Sequence, residues 1–273
     1  MIVTPIPGAH RGNVLQVLRS VHTAAINLGN YHQPEENLLK YLTWATESVR
    51  VLNSQIRPKD IDALVRTPQY WALLAGAGQI NGRLEAALSN GLIDLEVRQR
   101  VEAFDLAVKA FTEQMTRWPE STSVLVLDTG LFIKHPTKFE ETDFAALAGT
   151  ERDIRIVVPM VVVEELDRLK ESGNQQVRWR AGYSLAVLDR LLEERAPLPT
   201  ATVEILMDNP GHARLSEADD EIVDRALTVR TMAAGPVRLI TYDTSMAMRA
   251  KFATLPVLKL RTGAGTGKEP GKR

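Results

Sequence analysis

The chain has 273 residues and a mass of 30.3 kDa, with 44% hydrophobic and 25% charged residues, enough for one large globular domain or two small ones. Its 33 lysines and arginines nearly balance 34 aspartates and glutamates. The net charge of -1 therefore predicts no global attraction to nucleic acid or to an anionic membrane, although a local basic groove stays open. Cysteine is absent, which excludes disulfides, thiol nucleophiles, iron–sulfur clusters and cysteine-based zinc sites.

Neither a membrane span nor a signal peptide is apparent. The longest apolar run, Ile156 to Val163, is much shorter than the roughly 18 residues that a spanning helix needs. The N-terminus lacks the basic-then-apolar order of a secretory signal. We therefore expect a cytoplasmic protein without membrane contact.

The first half, residues 1–118, is predicted to be an all-α domain because its apolar residues recur at the helical period. Gly82 and Gly91 are expected to interrupt the later helices. The predicted helices lie near residues 14–28, 34–52, 58–65, 71–74, 84–88 and 97–111. We expect this domain to position substrate, to regulate, or to bind a protein partner or a second copy as a homodimer.

A polar segment with a helix-breaking proline, residues 119–123, is predicted to link the two domains. Beyond it, short β-branched apolar runs alternate with helical stretches, which is typical of a parallel sheet covered on both faces. The strands are predicted at Val124–Leu127, Ile154–Val158, Val203–Met207, Val237–Thr241 and Pro256–Leu260. The helices are predicted at Met160–Glu171, Gln175–Arg195, Ser216–Met232 and Ser245–Phe252. Residues 124–261 are thus predicted to be an α/β domain, and the Gly- and Lys-rich tail 262–273 to be disordered.

Two of the predicted strands are followed by an aspartate. Asp128 follows the first strand and Asp243 follows the fourth. Because ligands of open α/β sheets bind outside the carboxyl ends of the strands, we favour a functional role for this pair. The alternative is that each aspartate caps the next helix, but Ser245 is expected to cap the helix after the fourth strand.

Further acids occur on the predicted helices. Glu165 lies beside the buried stripe of its helix and can face the strand ends, whereas Glu164 points further out. Asp219 and Asp220 belong to an acidic run at a helix start. Ser216 with Asp219 resembles a capping box, so Asp219 can serve the helix, the strand-end site or both.

The order and spacing of these acids resemble those of the PIN-domain (PilT N-terminus type) nucleases. The resemblance rests on Asp128, on the phrase from Val158 to Lys170, on the Asp219-x-x-Ile222 helix start and on Thr241-x-Asp243. It covers about residues 124–260 and leaves the helical half outside.

The resemblance implies a Rossmann-like sheet whose strand ends bind Mg²⁺ or Mn²⁺ for phosphodiester hydrolysis. Its catalytic and metal-binding residues would be Asp128, Glu165, Asp219 and Asp243. Asp219 is preferred to Asp220 because Ile222 follows it by three positions. Thr241 and Asp220 would have supporting roles. Oxygen ligands suit these metals, which can activate water and stabilise charge on the phosphoryl group.

A nucleic-acid substrate, with single-stranded RNA preferred to DNA, requires positive charge near this site. The candidate binding residues are Arg178, Arg180, Arg249 and Lys251, each of which could also be an ordinary surface charge. Trp179 could stack a base, although a single tryptophan on a helix is more often part of the core.

Other hydrolytic chemistries fit less well. The five histidines are scattered, no P-loop is present, and Gly130 stands where a haloacid-dehalogenase phosphatase has its second aspartate. Three alternatives within the fold remain: a catalytically weak binding scaffold, the toxin of a toxin–antitoxin pair, and a flap-type structure-specific DNA nuclease.

Overall fold

The computed structural model describes residues 3–6, 8–28, 34–77, 83–193, 198, 200–208 and 212–261. The chain divides into two compact units, a helical unit (Met1–Arg117) and a sheet unit (Trp118–Arg273). The disordered tail predicted at residues 262–273 lies outside the described residues. Within the described part, no helix is long and apolar enough to cross a bilayer.

The helical unit is all-α, as predicted. Pro58 and Pro68 each occupy the first position of a helix, where the missing N–H costs nothing and the fixed φ suits the helix. The helices are α1 Arg11–Ile26, α2 Pro34–Leu52, α3 Pro58–Leu64, α4 Pro68–Gly76 and α5 Arg83–Arg117.

Helix α5 runs without a break through Gly91, so the prediction that this glycine interrupts it is wrong. One glycine in a helix interior costs only about 1 kcal/mol relative to alanine, and tertiary packing offsets that cost. Phe104 and Phe111 of α5 are fully buried. The buried carboxylate of Glu96 on the same helix accepts a hydrogen bond from the Tyr41 hydroxyl (3.0 Å).

The described residues of the sheet unit form five parallel strands in the order β3-β2-β1-β4-β5. The strands are β1 Thr122–Leu127, β2 Asp153–Pro159, β3 Thr202–Leu206, β4 Val237–Thr241 and β5 Val257–Lys259. All six residues of β1 are buried, because this central strand has neighbours on both sides and is covered on both faces. The predicted α/β architecture is therefore confirmed.

In the described part of the sheet unit, seven helical segments accompany the strands. They are α6 Thr129–Lys134, a 3₁₀ turn Phe139–Glu141, α7 Phe144–Ala148, α8 Met160–Leu169, α9 Gln175–Glu193, α10 Ala218–Met232 and α11 Thr244–Phe252. The three segments between β1 and β2 were not predicted, because each is too short to show helical periodicity. Their packing depends on Phe132, Phe139 and Phe144, whose rings contact one another in sequence. β1 begins at Thr122, so the last two residues of the predicted linker belong to the sheet.

Candidate metal centre

The aspartates that follow β1 and β4 lie at the switch point of the sheet. From the central strand β1 the chain adds β2 and β3 on one side, and later β4 and β5 on the other. The neighbours β1 and β4 therefore open a crevice at their carboxyl ends, which is where open α/β sheets bind ligands. Asp128 follows β1 directly, and Asp243 follows β4 by two residues.

Thr241 connects these two strand ends. Its fully buried hydroxyl donates to Oδ2 of Asp128 (2.7 Å) and accepts a hydrogen bond from the backbone N–H of Asp243 (2.8 Å). Both hydrogen-bonding functions of the hydroxyl are thus used to hold one acid against the other. Thr241 therefore connects the side chain that follows β1 to the backbone that follows β4.

Asp243 caps α11, which contradicts the expectation that Ser245 does so. Oδ1 of Asp243 accepts a hydrogen bond from the backbone N–H of Met246 (2.8 Å), and the helix begins at Thr244. Ser245 therefore lies within the first turn, where it is too late to serve as the cap. Asp243 has a structural task in addition to any role at the strand ends.

Gly130 provides the space that the Asp128 side chain occupies. A Cβ atom at position 130 would lie 2.9 Å from Oδ2 of Asp128, closer than carbon and oxygen ordinarily approach. Asp128 itself is only 6% exposed, so its carboxylate has little freedom to move aside. The glycine is needed here for close approach, not for its backbone conformation.

Glu165 approaches the same strand ends from α8. Its Oε2 accepts a hydrogen bond from the hydroxyl of Thr129, the residue that follows Asp128. The adjacent Glu164 instead forms an ion pair with Arg214. The two neighbouring glutamates therefore point to different surroundings, and Glu165 is the one that contacts the end of β1.

Asp219 and Asp220 lie in the first turn of α10 and also differ. Asp220 forms an ion pair with Arg249 at 2.5 Å, whereas Asp219 is close enough to Asp128 and Asp243 for their charges to act on it. The capping box expected from Ser216 is wrong, because the N-cap is Glu217 and no side chain caps this helix. Asp219 is accordingly free of that structural task.

Three of these carboxyl groups have raised pKa values. Burial is the largest cause for Asp128, Glu165 and Asp219 alike. Repulsion among the acids raises them further: Asp243 acts on Asp128, Asp128 and Asp219 act on Glu165, and Asp243 and Asp128 act on Asp219. The hydroxyls of Thr241 and Thr129 oppose the shift at Asp128 and Glu165 respectively. The four acids thus form one electrostatically coupled group.

The donor set fits a hard divalent cation. It consists of carboxylate oxygens, which Mg²⁺ and Mn²⁺ prefer, and a cation would relieve the mutual repulsion of the acids. The four carboxylates are gathered more loosely than a closed ligand shell. Across the described ranges, the one set of three His, Asp or Glu donors within 4.8 Å of one another lies elsewhere, at Asp208, His212 and Glu221.

Sequence reasoning missed this second group. His212, whose side chain is 7% exposed, lies with Nε2 2.7 Å from Oε1 of Glu221, and Oε2 of Glu221 accepts the backbone N–H of Leu215 (2.9 Å). Glu221 also pairs with Arg225 (3.2 Å). A histidine, a backbone amide and an arginine already share this carboxylate. These contacts give Glu221 a structural role, because they stabilise the connection from β3 to α10. The sequence feature that could have indicated this group is Glu221 itself. This acid directly follows an Asp-Asp pair and lies one helical turn before Arg225, on the same face of the helix.

The four predicted nucleic-acid-binding residues have different surroundings. Arg178 and Lys251 are exposed. Arg180 donates to the backbone carbonyls of His135 and Pro136, and so holds the loop after α6. Arg249 is paired with Asp220, which leaves it less available to a phosphate.

A family model described as PIN domain matches residues 125–261, which is half of the chain. No curated protein matches the chain. One solved structure, a domain of a functionally unknown protein from Methanocaldococcus jannaschii DSM 2661, shares 18% identity over 55% of this chain and 99% of that one. The TM-score of this pair is 0.36, too low for any conclusion from the similarity.

Proposed function

The chain belongs to the PIN-domain family, and we propose that its sheet unit is a metal-dependent endonuclease that hydrolyses phosphodiester bonds in single-stranded RNA. The family gives the chain a nuclease-type fold. The observation that supports the finer proposal is the gathering of Asp128, Glu165, Asp219 and Asp243 at the switch point of the sheet. Burial and neighbouring carboxylates raise the pKa values of the first three of these acids.

Asp128, Glu165, Asp219 and Asp243 would hold one or more Mg²⁺ or Mn²⁺ ions. When bound, such an ion supplies a water of lowered pKa and offsets negative charge on the phosphoryl oxygens. Asp128 is the central donor in this proposal, because it is the most buried of the four and Asp243, Glu165 and Asp219 all interact with it.

The remaining residues position these donors. Thr241 fixes Oδ2 of Asp128 and the backbone of Asp243, and Thr129 fixes one oxygen of Glu165. Since both threonines are held on or next to buried strands, the donors are oriented before substrate arrives, which is the condition for effective catalysis by positioning.

The test is a cleavage panel with the full chain. Labelled single-stranded RNA, single-stranded DNA and branched DNA are incubated with Mg²⁺, with Mn²⁺ or with EDTA. We expect RNA to be cleaved only when a divalent ion is present. Asp128→Asn should lower the rate by more than about 100-fold, since even outer-shell partners of metal ligands cost 10- to 100-fold.

The matched control is Asp167→Asn. Asp167 is an exposed acid on α8 that pairs with Lys170 at 2.6 Å, so its loss removes a negative charge without touching the strand ends. Wild-type activity in Asp128→Asn would contradict the proposed centre. Preferred cleavage of branched DNA would indicate a flap-type DNA nuclease instead of a ribonuclease. The absence of cleavage of every substrate would favour a binding scaffold.

A further inference from the structure

An aromatic pair with an exposed tryptophan lies on α9. Trp179 and Tyr183 are one helical turn apart, and their rings stack with centroids 5.0 Å apart and planes 18° from parallel. Trp179 is 55% exposed, so it is not the core residue that a single tryptophan on a helix usually is. The hydroxyl of Tyr183 donates a hydrogen bond to the carboxylate of Glu140, and this bond holds the Tyr183 ring in place. The indole of Trp179 is therefore exposed to solvent and stacks on the Tyr183 ring, which is itself held in place.

Positive charge adjoins this pair. Arg178 is exposed. Arg180 donates to the backbone carbonyls of His135 and Pro136, so its charge is held in place without being neutralised. The two arginines flank Trp179 in the sequence, one residue to either side.

The acids nearby are already engaged. Lys138 lies with Nζ 5.3 Å from the ring centroid of Tyr183 and pairs with Glu141 at 3.4 Å. The carboxylate of Glu140 accepts the Tyr183 hydroxyl. By formal charge, Lys138 and the two arginines exceed these two acids by one, in a chain whose total charge is -1.

The loop after α6 contacts both α9 and the residue that follows β4. Arg180 holds the backbone at His135, and Nδ1 of His135 lies 2.7 Å from the hydroxyl of Tyr242. Tyr242 stands between Thr241 and Asp243 at the end of β4. The aromatic pair and the candidate metal centre thus share one supporting loop.

We propose that Trp179 and Tyr183 form a stacking platform for a base of single-stranded nucleic acid, with Arg178 and Arg180 attracting the adjoining phosphates. Bases stack on aromatic side chains whatever the sequence, and a positive surface tracks the backbone. A duplex keeps its base faces covered, so a single strand is the form that the platform fits. The proposal rests on the proposed function, because the strand would continue to the carboxylates.

The test measures binding with cleavage switched off. A short fluorescent single-stranded RNA is titrated with the full chain in EDTA, and its anisotropy gives the Kd. Trp179→Ala should weaken binding by about 5- to 100-fold, as expected for the loss of one base stack. Trp179→Phe keeps a ring and should recover most of the affinity.

The matched control is Trp71→Ala. Trp71 is 53% exposed on α4 and contacts the ring of Tyr70, also with centroids 5.0 Å apart, but belongs to the helical unit. It should bind RNA like the wild type. A second readout uses an oligonucleotide with abasic sites: if Trp179 stacks a base, the wild type should lose affinity for it while Trp179→Ala changes little.

Equal Kd values for the wild type and Trp179→Ala would overturn the platform, and so would a penalty that persists on the abasic strand. A self-associated chain that Trp179→Ala dissociates would also overturn it, because a second copy would then cover the ring. Failure of the proposed function has a different signature: the wild type would bind RNA through Trp179 and yet not cleave it with Mg²⁺ or Mn²⁺.

Discussion

Replacing Thr241 by valine isolates the bond that joins the two strand ends. Valine matches threonine in shape and suits a strand, so the change removes the hydroxyl and little else. Two interactions are lost: the hydrogen bond to Asp128 and the acceptor for the backbone N–H of Asp243.

The cost can be worked from these two contacts. A hydrogen bond to a charged group contributes about 1.5–3 kcal/mol, and a partly buried N–H left without an acceptor costs about 1 kcal/mol, at the low end of the usual range. Their sum is about 2.5–4 kcal/mol of unfolding free energy in the sheet unit. A difference of 1.4 kcal/mol changes an equilibrium about tenfold, so amide exchange in β1 and β4 should accelerate by about 60-fold or more.

Native-state hydrogen exchange read by mass spectrometry is the assay, because it reports β1 and β4 separately from the helical unit. The control is Thr231→Val on α10, where the hydroxyl only donates to the backbone carbonyl of Leu227 (2.9 Å). Thr231→Val should change protection in β1 and β4 by less than about 0.5 kcal/mol, as for most substitutions away from such networks. If amide exchange in β1 and β4 were no faster in Thr241→Val than in Thr231→Val, the Thr241 hydroxyl would not join the two strand ends as described.

Two further predictions concern the acids themselves. The folded pKa values of Asp128 and Glu165 are raised above 3.8 and 4.5. Each carboxyl group therefore lowers the free energy of unfolding as the pH rises from its ordinary pKa to its raised one, and the loss is complete above the raised value. In EDTA the melting temperature of the wild type should therefore rise, relative to that of Asp128→Asn, as the pH falls from neutral through the raised pKa values. Thermal melts at several pH values measure this difference. The same pH dependence of the melting temperature in both proteins would contradict the prediction. Gly130→Ala places a Cβ 2.9 Å from Oδ2 of Asp128 and should lower RNA cleavage by about 10- to 100-fold, as a misplaced reacting group does. Initial rates beside a circular dichroism spectrum test this, and unchanged rates would show that the carboxylate moves aside freely.

The sequence was sufficient for the sheet because its signals are local. The apolar runs of β1 and β4 and the helical stripes between them are each visible in a short window, and a parallel sheet then follows from their alternation. The short helix α6 could not be found this way, because six residues are fewer than two helical turns.

The side-chain contacts were less predictable, because they depend on residues far apart in the chain. Thr241 contacts Asp128 across 113 positions, and nothing in either neighbourhood indicates that bond. Ser245 and Asp243 are equally good caps by residue type, and the helix start decided between them. The exposure of Trp179 likewise follows from the packing of α9, which the helical period alone does not reveal.

The most direct test of the central claim is a Mn²⁺ titration of the full chain, with free Mn²⁺ followed by electron paramagnetic resonance. We expect Glu165→Gln to weaken binding. Its neighbour variant Glu164→Gln, which lacks an ion pair to Arg214, should bind like the wild type. His212→Ala, in the second acidic group, should also bind Mn²⁺ normally. Binding that survives Glu165→Gln but is lost in His212→Ala would contradict a metal centre at the strand ends.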